Sequence, residues 1–291
     1  MPQNKHQSVK EFDFTSSDFE RVRALIYQRA GISLADSKQE MVYSRLARRL
    51  RATGIVSFST YLNDLEAGLL GEEWESFTNA LTTNLTSFFR EAHHFPLLAE
   101  HARHVHEHPI TLWCAASSTG EEPYSIAMTL CEAFGSLSPP VQIIATDIDT
   151  NVLATAERGV YPIERIDKLE PERSKRFFLR GKGEQEGMVR VRPELRKLVT
   201  FRQLNLLAES WPLAGQFDVI FCRNVMIYFD KATQRKILAR FVPLMKPGAL
   251  LFAGHSENFL YVSDALKLRG KTVYELDERR SGLRLPHRSG M

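Results

Sequence analysis

The sequence has little cysteine. Cys114, Cys131 and Cys222 are an odd total with no CxxC pair, which argues against a disulfide framework and suits a reducing compartment. Long apolar runs are absent too, and nothing reaches the ~18–20 residues of a membrane span. The opening MPQNKHQSVKEFDF is polar and has no apolar signal-peptide core. Together these absences predict a cytoplasmic protein without membrane insertion. Neither sign of charge dominates: the formal net charge is +3, so global charge does not call for nucleic acid. Neither GxGxxG nor GxxxxGK[ST] occurs, which removes the usual pyrophosphate and nucleoside-triphosphate loops. No CxH, Ser-His-Asp or HExxH arrangement is found.

What is present is an ordinary soluble composition, 43% hydrophobic and 25% charged over 291 residues, a length that suggests about two domains. The first part reads as helical. Residues 17–30 bring Phe19, Val22, Leu25 and Ile26 to one face, with Ser17 and Glu20 as a capping box and Gly31 as a stop. A second helix, from Ser37 to about Ala52, should bury Val42, Leu46 and Leu50 and expose Arg45, Arg48, Arg49 and Arg51. YLNDLEAGLL and EEWESFTNALTTN continue the helical pattern. Residues 1–88 are therefore predicted to form an all-helical domain.

From residue 108 short apolar strands alternate with helices: TLWCA (111–115), VQIIATDID (141–149), VTFRQLN (199–205), FDVIFCRN (217–224), ALLFAGH (249–255) and TVYELD (272–277). This predicts a parallel, doubly wound α/β sheet within residues 89–278, with a break at Lys246-Pro247-Gly248. Residues 161–198 interrupt the alternation. FFLRG and MVRVR flank a glycine-rich stretch there and predict an inserted antiparallel β-subdomain. The tail, 279–291, is basic and reads as disordered.

Ligands of such sheets bind at the carboxyl ends of the strands. After the first strand, CAASSTGEEPYS holds one glycine, Gly120, and two adjacent acids, Glu121 and Glu122. Two carboxylates repel a phosphate at short range but suit a cation. Asp147 can accept hydrogen bonds from both ribose hydroxyls, and Asn205-Leu206 suits an adenine edge and face. Arg223, Asn224 and Tyr228 close the fourth strand, and Arg90 can hold a carboxylate. The set favours S-adenosylmethionine, with its sulfonium and ammonium, over NAD. Asp147 could instead be a helix cap, Glu122 a first-turn acid favoured by the helix dipole and Asn205 a turn residue, and Glu121 is left without a role. His93, His94, His101, His104, His106 and His108 lack cysteine partners and fall on several helix faces, so no metal site is expected.

NALTTNLTSFFREAHHF (79–95), ASSTGEEPYSIA (116–127), ATDIDTNVL (145–153), FDVIFCRNVMIYFD (217–230) and LLFAGHSENF (250–259) resemble, in order, the bacterial chemotaxis receptor methyltransferases of the CheR family. The resemblance runs from about residue 15 to 277. It implies a Rossmann-like class I methyltransferase sheet, an all-helical N-terminal domain and a small inserted antiparallel β-subdomain. It also implies methyl transfer from S-adenosylmethionine to receptor glutamates, giving methyl esters and S-adenosylhomocysteine, by direct displacement without a general base. Cofactor contacts are implied for Asn84, Thr86, Arg90, Glu122, Asp147, Asn205, Leu206, Arg223 and Asn224, with Tyr228 near the transferred methyl and Arg90 beside it. Substrate glutamates on helical receptor bundles give Arg45, Arg48, Arg49 and Arg51 a docking role. Gly181, Gly183, Gly187 and Arg190 match the loop that binds a receptor tail peptide in some members. A monomer is expected. A nucleic-acid methyltransferase is disfavoured because RNVMIY stands where a [DNS]PPY-type motif is usual.

Overall fold

The computed structural model describes residues 10–259 and 263–277; the tail from 279 lies outside them. The chain divides into two compact units, Met1–Thr83 and Asn84–Met291.

The first unit is helical throughout its described part: α1 (Ser16–Ala30), α2 (Gln39–Thr53), α3 (Phe58–Glu66) and α4 (Glu73–Leu81). The capping box of α1 is formed by Thr15 and Asp18, not Ser17 and Glu20. The helix therefore starts a residue earlier, because Thr15 has the extended backbone an N-cap needs. Val42, Leu46 and Leu50 are fully buried along α2 as the 3.6-residue period requires.

The arginines of α2 correct the sequence reading, since only Arg48 and Arg51 are exposed. Arg49 grips the buried Glu73 bidentately, Nε to Oε1 at 2.8 Å and a terminal nitrogen to Oε2 at 2.7 Å. Tyr61 donates its hydroxyl to the same carboxylate at 2.8 Å. Arg45 donates to the carbonyls of Ala80 and Thr82. Arg51 pairs with Glu11 on the surface. Periodicity identified the apolar face of α2 but not its flanks, where long side chains reach across to α4.

The second unit begins with α5 (His94–His104), β1 (Ile110–Cys114), α6 (Glu121–Ala133), β2 (Val141–Asp147) and α7 (Thr150–Arg158). The inserted segment follows: β3 (Val160–Pro162), α8 (Pro171–Phe177), β4 (Phe178–Arg180), β5 (Met188–Val191) and α9 (Pro193–Arg196). The chain then returns to β6 (Val199–Gln203), β7 (Phe217–Cys222), α10 (Lys231–Phe241), β8 (Met245–Ala253), β9 (Leu266–Gly270) and β10 (Val273–Leu276). The main sheet has the order β6-β2-β1-β7-β8-β10-β9, and the insert forms its own antiparallel sheet, β3-β5-β4.

Five strands are parallel, but β10 pairs antiparallel with β8 and β9 pairs antiparallel with β10. The sheet is thus mixed rather than parallel. LKLRG of β9 had no visible signal, because only Leu266 of its five residues is buried. Lys246-Pro247-Gly248 lies inside β8 rather than breaking before it, and the β7–β8 register shifts there to absorb it.

β1 shows why both faces of the sheet are apolar. Leu112 and Cys114 belong to one buried cluster and Trp113 to the other, as the two-residue period of a strand demands. All six residues of β7 are buried. From β1 the chain builds outward through β2 to β6, then crosses back to β7 on the other side. Such a reversal opens a crevice at the carboxyl ends of β1 and β7, the usual ligand position in open α/β sheets.

Candidate active site

The loop after β1 turns through Gly120, whose φ of +99° lies in the left-handed region. A side chain there would also collide: its Cβ would meet Ala156 Cβ and Tyr161 Oη, each at 2.8 Å. Glycine is required on both counts.

Asp147 ends β2, and a closed ring of hydrogen bonds holds it. Ser118 N–H donates to Oδ2 at 2.8 Å and Asp149 N–H to Oδ1 at 3.1 Å. Asn84 Nδ2 donates to Asp149 Oδ2 at 2.7 Å, and Ser118 Oγ donates to Asn84 O at 2.9 Å. Asp149 also caps α7. Burial raises the Asp147 carboxyl to about 6, against the backbone N–H groups of Asp149, Ser118 and Ile148, which favour its anion. Leu204 N–H bonds Asp147 O at 2.9 Å, which places Asn205 and Leu206 just past the end of the neighbouring strand. Asn205 Oδ1 accepts from Leu207 N–H at 2.9 Å, while Leu206 is buried.

A second cluster gathers at the end of β7. The fully buried guanidinium of Arg223 donates to Glu122 Oε2 at 2.8 Å and lies 3.3 Å from Glu91 Oε2. It also donates to Arg90 O. Cys114 Sγ donates to Glu122 Oε1 at 3.2 Å. Glu122 is therefore ion-paired as well as buried, and burial pushes its carboxyl upward against the pull of Arg223. Arg90 donates to Leu85 O at 2.9 Å and forms no ion pair among the described residues, so its charge is open to a carboxylate. Thr86 is half-buried on the same segment.

Two acidic residues at these strand ends escaped the sequence reading. Glu91 receives Asn224 Nδ2 at 3.2 Å and His255 N–H at 3.1 Å, besides its contact with Arg223. Glu257 is buried, and its carboxylate accepts four backbone N–H groups: Gly254, Asn224 at 2.9 Å, Val225 at 3.0 Å and Met226 at 2.8 Å. It thereby fixes the turn that carries Arg223, Asn224 (φ +59°) and Tyr228. The acid in GHSEN was its only signal, and sequence gave no sign that it faces inward. Tyr228 is half-buried in a single 3-10 turn, Met226–Tyr228.

Glu91, His93 and His94 bring one ligand atom each to within 4.8 Å of one another. His94 Nε2 is already engaged by Lys271 O at 3.0 Å, and burial lowers its imidazole to about 4. The Arg223 guanidinium on the same carboxylate opposes a cation there. A cleft of about 820 Å³ lies apart from the strand ends, along α5 and the antiparallel strands, beside His101, His104, Arg269 and Glu275.

The strand ends fit a cationic cofactor better than a phosphate. Glu122, Asp147, Glu91 and Glu257 gather at these strand ends, and the buried Ser117 Oγ and Arg223 Nε have no hydrogen-bond partner among the described residues. The sequence comparisons agree. Residues 17–82 match the CheR methyltransferase all-alpha domain, and residues 84–274 match the CheR methyltransferase SAM binding domain.

The chain belongs to the CheR family.

Its relatives match along nearly their whole length. A chemotaxis protein methyltransferase of Klebsiella aerogenes is 57% identical over 274 residues, covering 94% of each chain. One from Escherichia coli is 54% identical, covering 94% of this chain and 95% of its own. Chemotaxis protein methyltransferase 2 of Pseudomonas aeruginosa is 56% identical, covering 91% and 95%. Like other CheR proteins the chain is an S-adenosylmethionine-dependent methyltransferase with a class I α/β fold. Among the described residues no helix is long and apolar enough to cross a membrane.

Proposed function

We propose that this protein methylates glutamate side chains of chemotaxis receptors, forming methyl esters that serve sensory adaptation. The reading is carried by identity of 54–57% to proteins named for chemotaxis methyl transfer, spread over both units. Bound S-adenosylmethionine supplies the electrophilic methyl group. Asp147 holds the ribose hydroxyls, Asn205 and Leu206 the adenine, and Arg90 the cofactor carboxylate. Asn84 and Thr86 close the cleft from one side. Glu122, Arg223 and Asn224 complete the methionine end, where the acids favour the ammonium.

The substrate explains why no base is needed. A glutamate carboxylate has a pKa near ~4.3 and is already an anion at neutral pH. His94 would be a poor base: it is buried, bonded to Lys271 O and lowered to about 4. The reaction joins unlike charges, so water slows it. Orientation and reduced solvation should supply most of the rate. Tyr228 and Arg90 are assigned positioning roles toward the incoming carboxylate.

Two surfaces are proposed for the receptor. Arg48 and Arg51 present charge to an acidic receptor helix, while Arg45 and Arg49 are committed within the helical unit. Charge reversal separates the roles. Arg48→Glu is expected to raise KM for receptor several-fold with unchanged cofactor affinity. Arg49→Glu should instead destabilise the helical unit by about 2–3 kcal/mol, because Glu73 is left buried without its partner. Denaturant titration beside receptor kinetics checks both, and a fully stable Arg49→Glu protein would refute the assignment. The second surface is the inserted sheet. Its Gly181, Gly183 and Gly187 loop and Arg190 suit a tail peptide added as a strand, which raises local substrate concentration.

The deciding experiment supplies labelled S-adenosylmethionine with receptor cytoplasmic fragments, with and without their C-terminal tail. An alkali-labile label is expected, with higher KM for the fragment lacking its tail. A base-stable label would exclude a glutamyl ester, and equal KM values would remove the tail-binding role.

A further inference from the structure

Glu121 is the residue the cofactor chemistry leaves unused. Its side chain is completely buried at the first turn of α6. The Arg165 guanidinium, from the 3-10 turn Ile163–Ile166 of the inserted segment, pairs with Oε1. Thr119 Oγ1 donates to Oε2 at 2.6 Å. The same terminal nitrogen of Arg165 donates to Thr86 O at 3.2 Å.

One side chain of the insert thus holds two separate segments of the cofactor cleft, that of Asn84–Arg90 and that of Ser117–Glu122. Its neighbours act in the same way. Tyr161 Oη, on β3, donates to Thr119 O at 2.7 Å and fills the space that a Gly120 side chain would occupy. Phe88, on the first cofactor segment, sets its ring edge-on to Tyr161 and to Phe178 of β4, each with centroids 5.3 Å apart.

In this pair Glu121 is buried but the Arg165 side chain is 39% exposed, so solvent screens the attraction and the desolvation of Glu121 offsets much of what remains. An apolar pair would hold the fold as well. A single guanidinium nitrogen that reaches a carboxylate and a carbonyl together, however, fixes the position of both. We propose that Arg165 is a positioning residue for cofactor binding, acting through Glu121 and the Thr86 carbonyl, so that the inserted segment sets the geometry of the cofactor cleft. The inference rests on the proposed placement of the cofactor at the carboxyl ends of the strands.

The test compares the full-length wild-type protein with Arg165→Met, Arg165→Lys and the double variant Glu121→Gln/Arg165→Met. S-adenosylhomocysteine affinity is measured by calorimetry and stability by thermal unfolding. The double variant removes both charges and leaves none unpaired, so its Tm should stay close to wild type. Its Kd should rise about tenfold or more, within the range of coupling between residues in one network. Arg165→Lys restores a cation beside Glu121 and should recover much of that loss. Wild-type affinity in the double variant would overturn the proposal. So would a Kd that worsens only in variants whose Tm falls, since that marks a purely structural pair. If the wild-type protein itself failed to bind S-adenosylhomocysteine, the cofactor placement would be at fault instead.

Discussion

Asp147→Asn is expected to raise the Kd for S-adenosylhomocysteine about a hundredfold. The ionised carboxylate is proposed to accept from both ribose hydroxyls while its other lone pairs hold Ser118 and Asp149 N–H. An amide keeps the shape but offers one acceptor oxygen, and its NH2 confronts a donor. Each hydrogen bond to a charged group is worth ~1.5–3 kcal/mol, so losing their charge assistance costs about 3 kcal/mol, or two decades in Kd. The same group gives a pH dependence. Burial raises its free-protein pKa to about 6, and binding needs the anion. Affinity should therefore be full above pH 7 and fall about tenfold per pH unit below 6. Asp147→Asn should flatten that limb. Calorimetry across pH 5–8 measures both, and an unchanged Kd in the variant would remove Asp147 from the cofactor site.

Arg223→Met should have the largest effect on stability. The guanidinium is fully buried and lies against Glu122 and Glu91. Removing it leaves Glu122 buried without a counter-charge, a loss of about 3–5 kcal/mol. For a unit of this size, that corresponds to a fall in Tm of about 10 °C. Glu122 is already pushed above its ordinary value by burial, with Arg223 pulling it down. Without Arg223 the rise is larger. A carboxyl with a raised folded-state pKa favours folding in its protonated form. The variant should then be least impaired near pH 5 and lose stability as pH rises toward 8. Thermal unfolding at both pH values tests this. A Tm deficit that is the same at pH 5 and pH 8 would show that Glu122 is not the strained partner.

The arginine helix shows the limit of one-dimensional reading. The period of Val42, Leu46 and Leu50 fixed which face of α2 is buried. It said nothing about Arg49, whose stem lies at the edge of that face and whose charge meets Glu73, 24 residues away. Four arginines that look equivalent in the sequence therefore divide into two that hold the unit together and two that face solvent.

The sequence by itself determined the helical first unit, the strands β1, β2, β6, β7, β8 and β10 as short apolar runs, the inserted segment with β4 and β5, and the acidic loop after β1. These follow from local periodicity, turn chemistry and charge, which act over a few residues. Only the tertiary structure decided the antiparallel pairing of β9 and β10, since an edge strand buries too little to leave a pattern. It alone showed that Glu257 turns inward to hold the Asn224–Met226 turn, that Arg223 joins Glu122 to Glu91, and that Glu121 answers to Arg165. Each of these depends on residues 31 to 132 positions apart, brought together by the crossing of the sheet. A buried carboxylate takes its character from the donors around it, and those are set by the fold rather than by its neighbours in the chain.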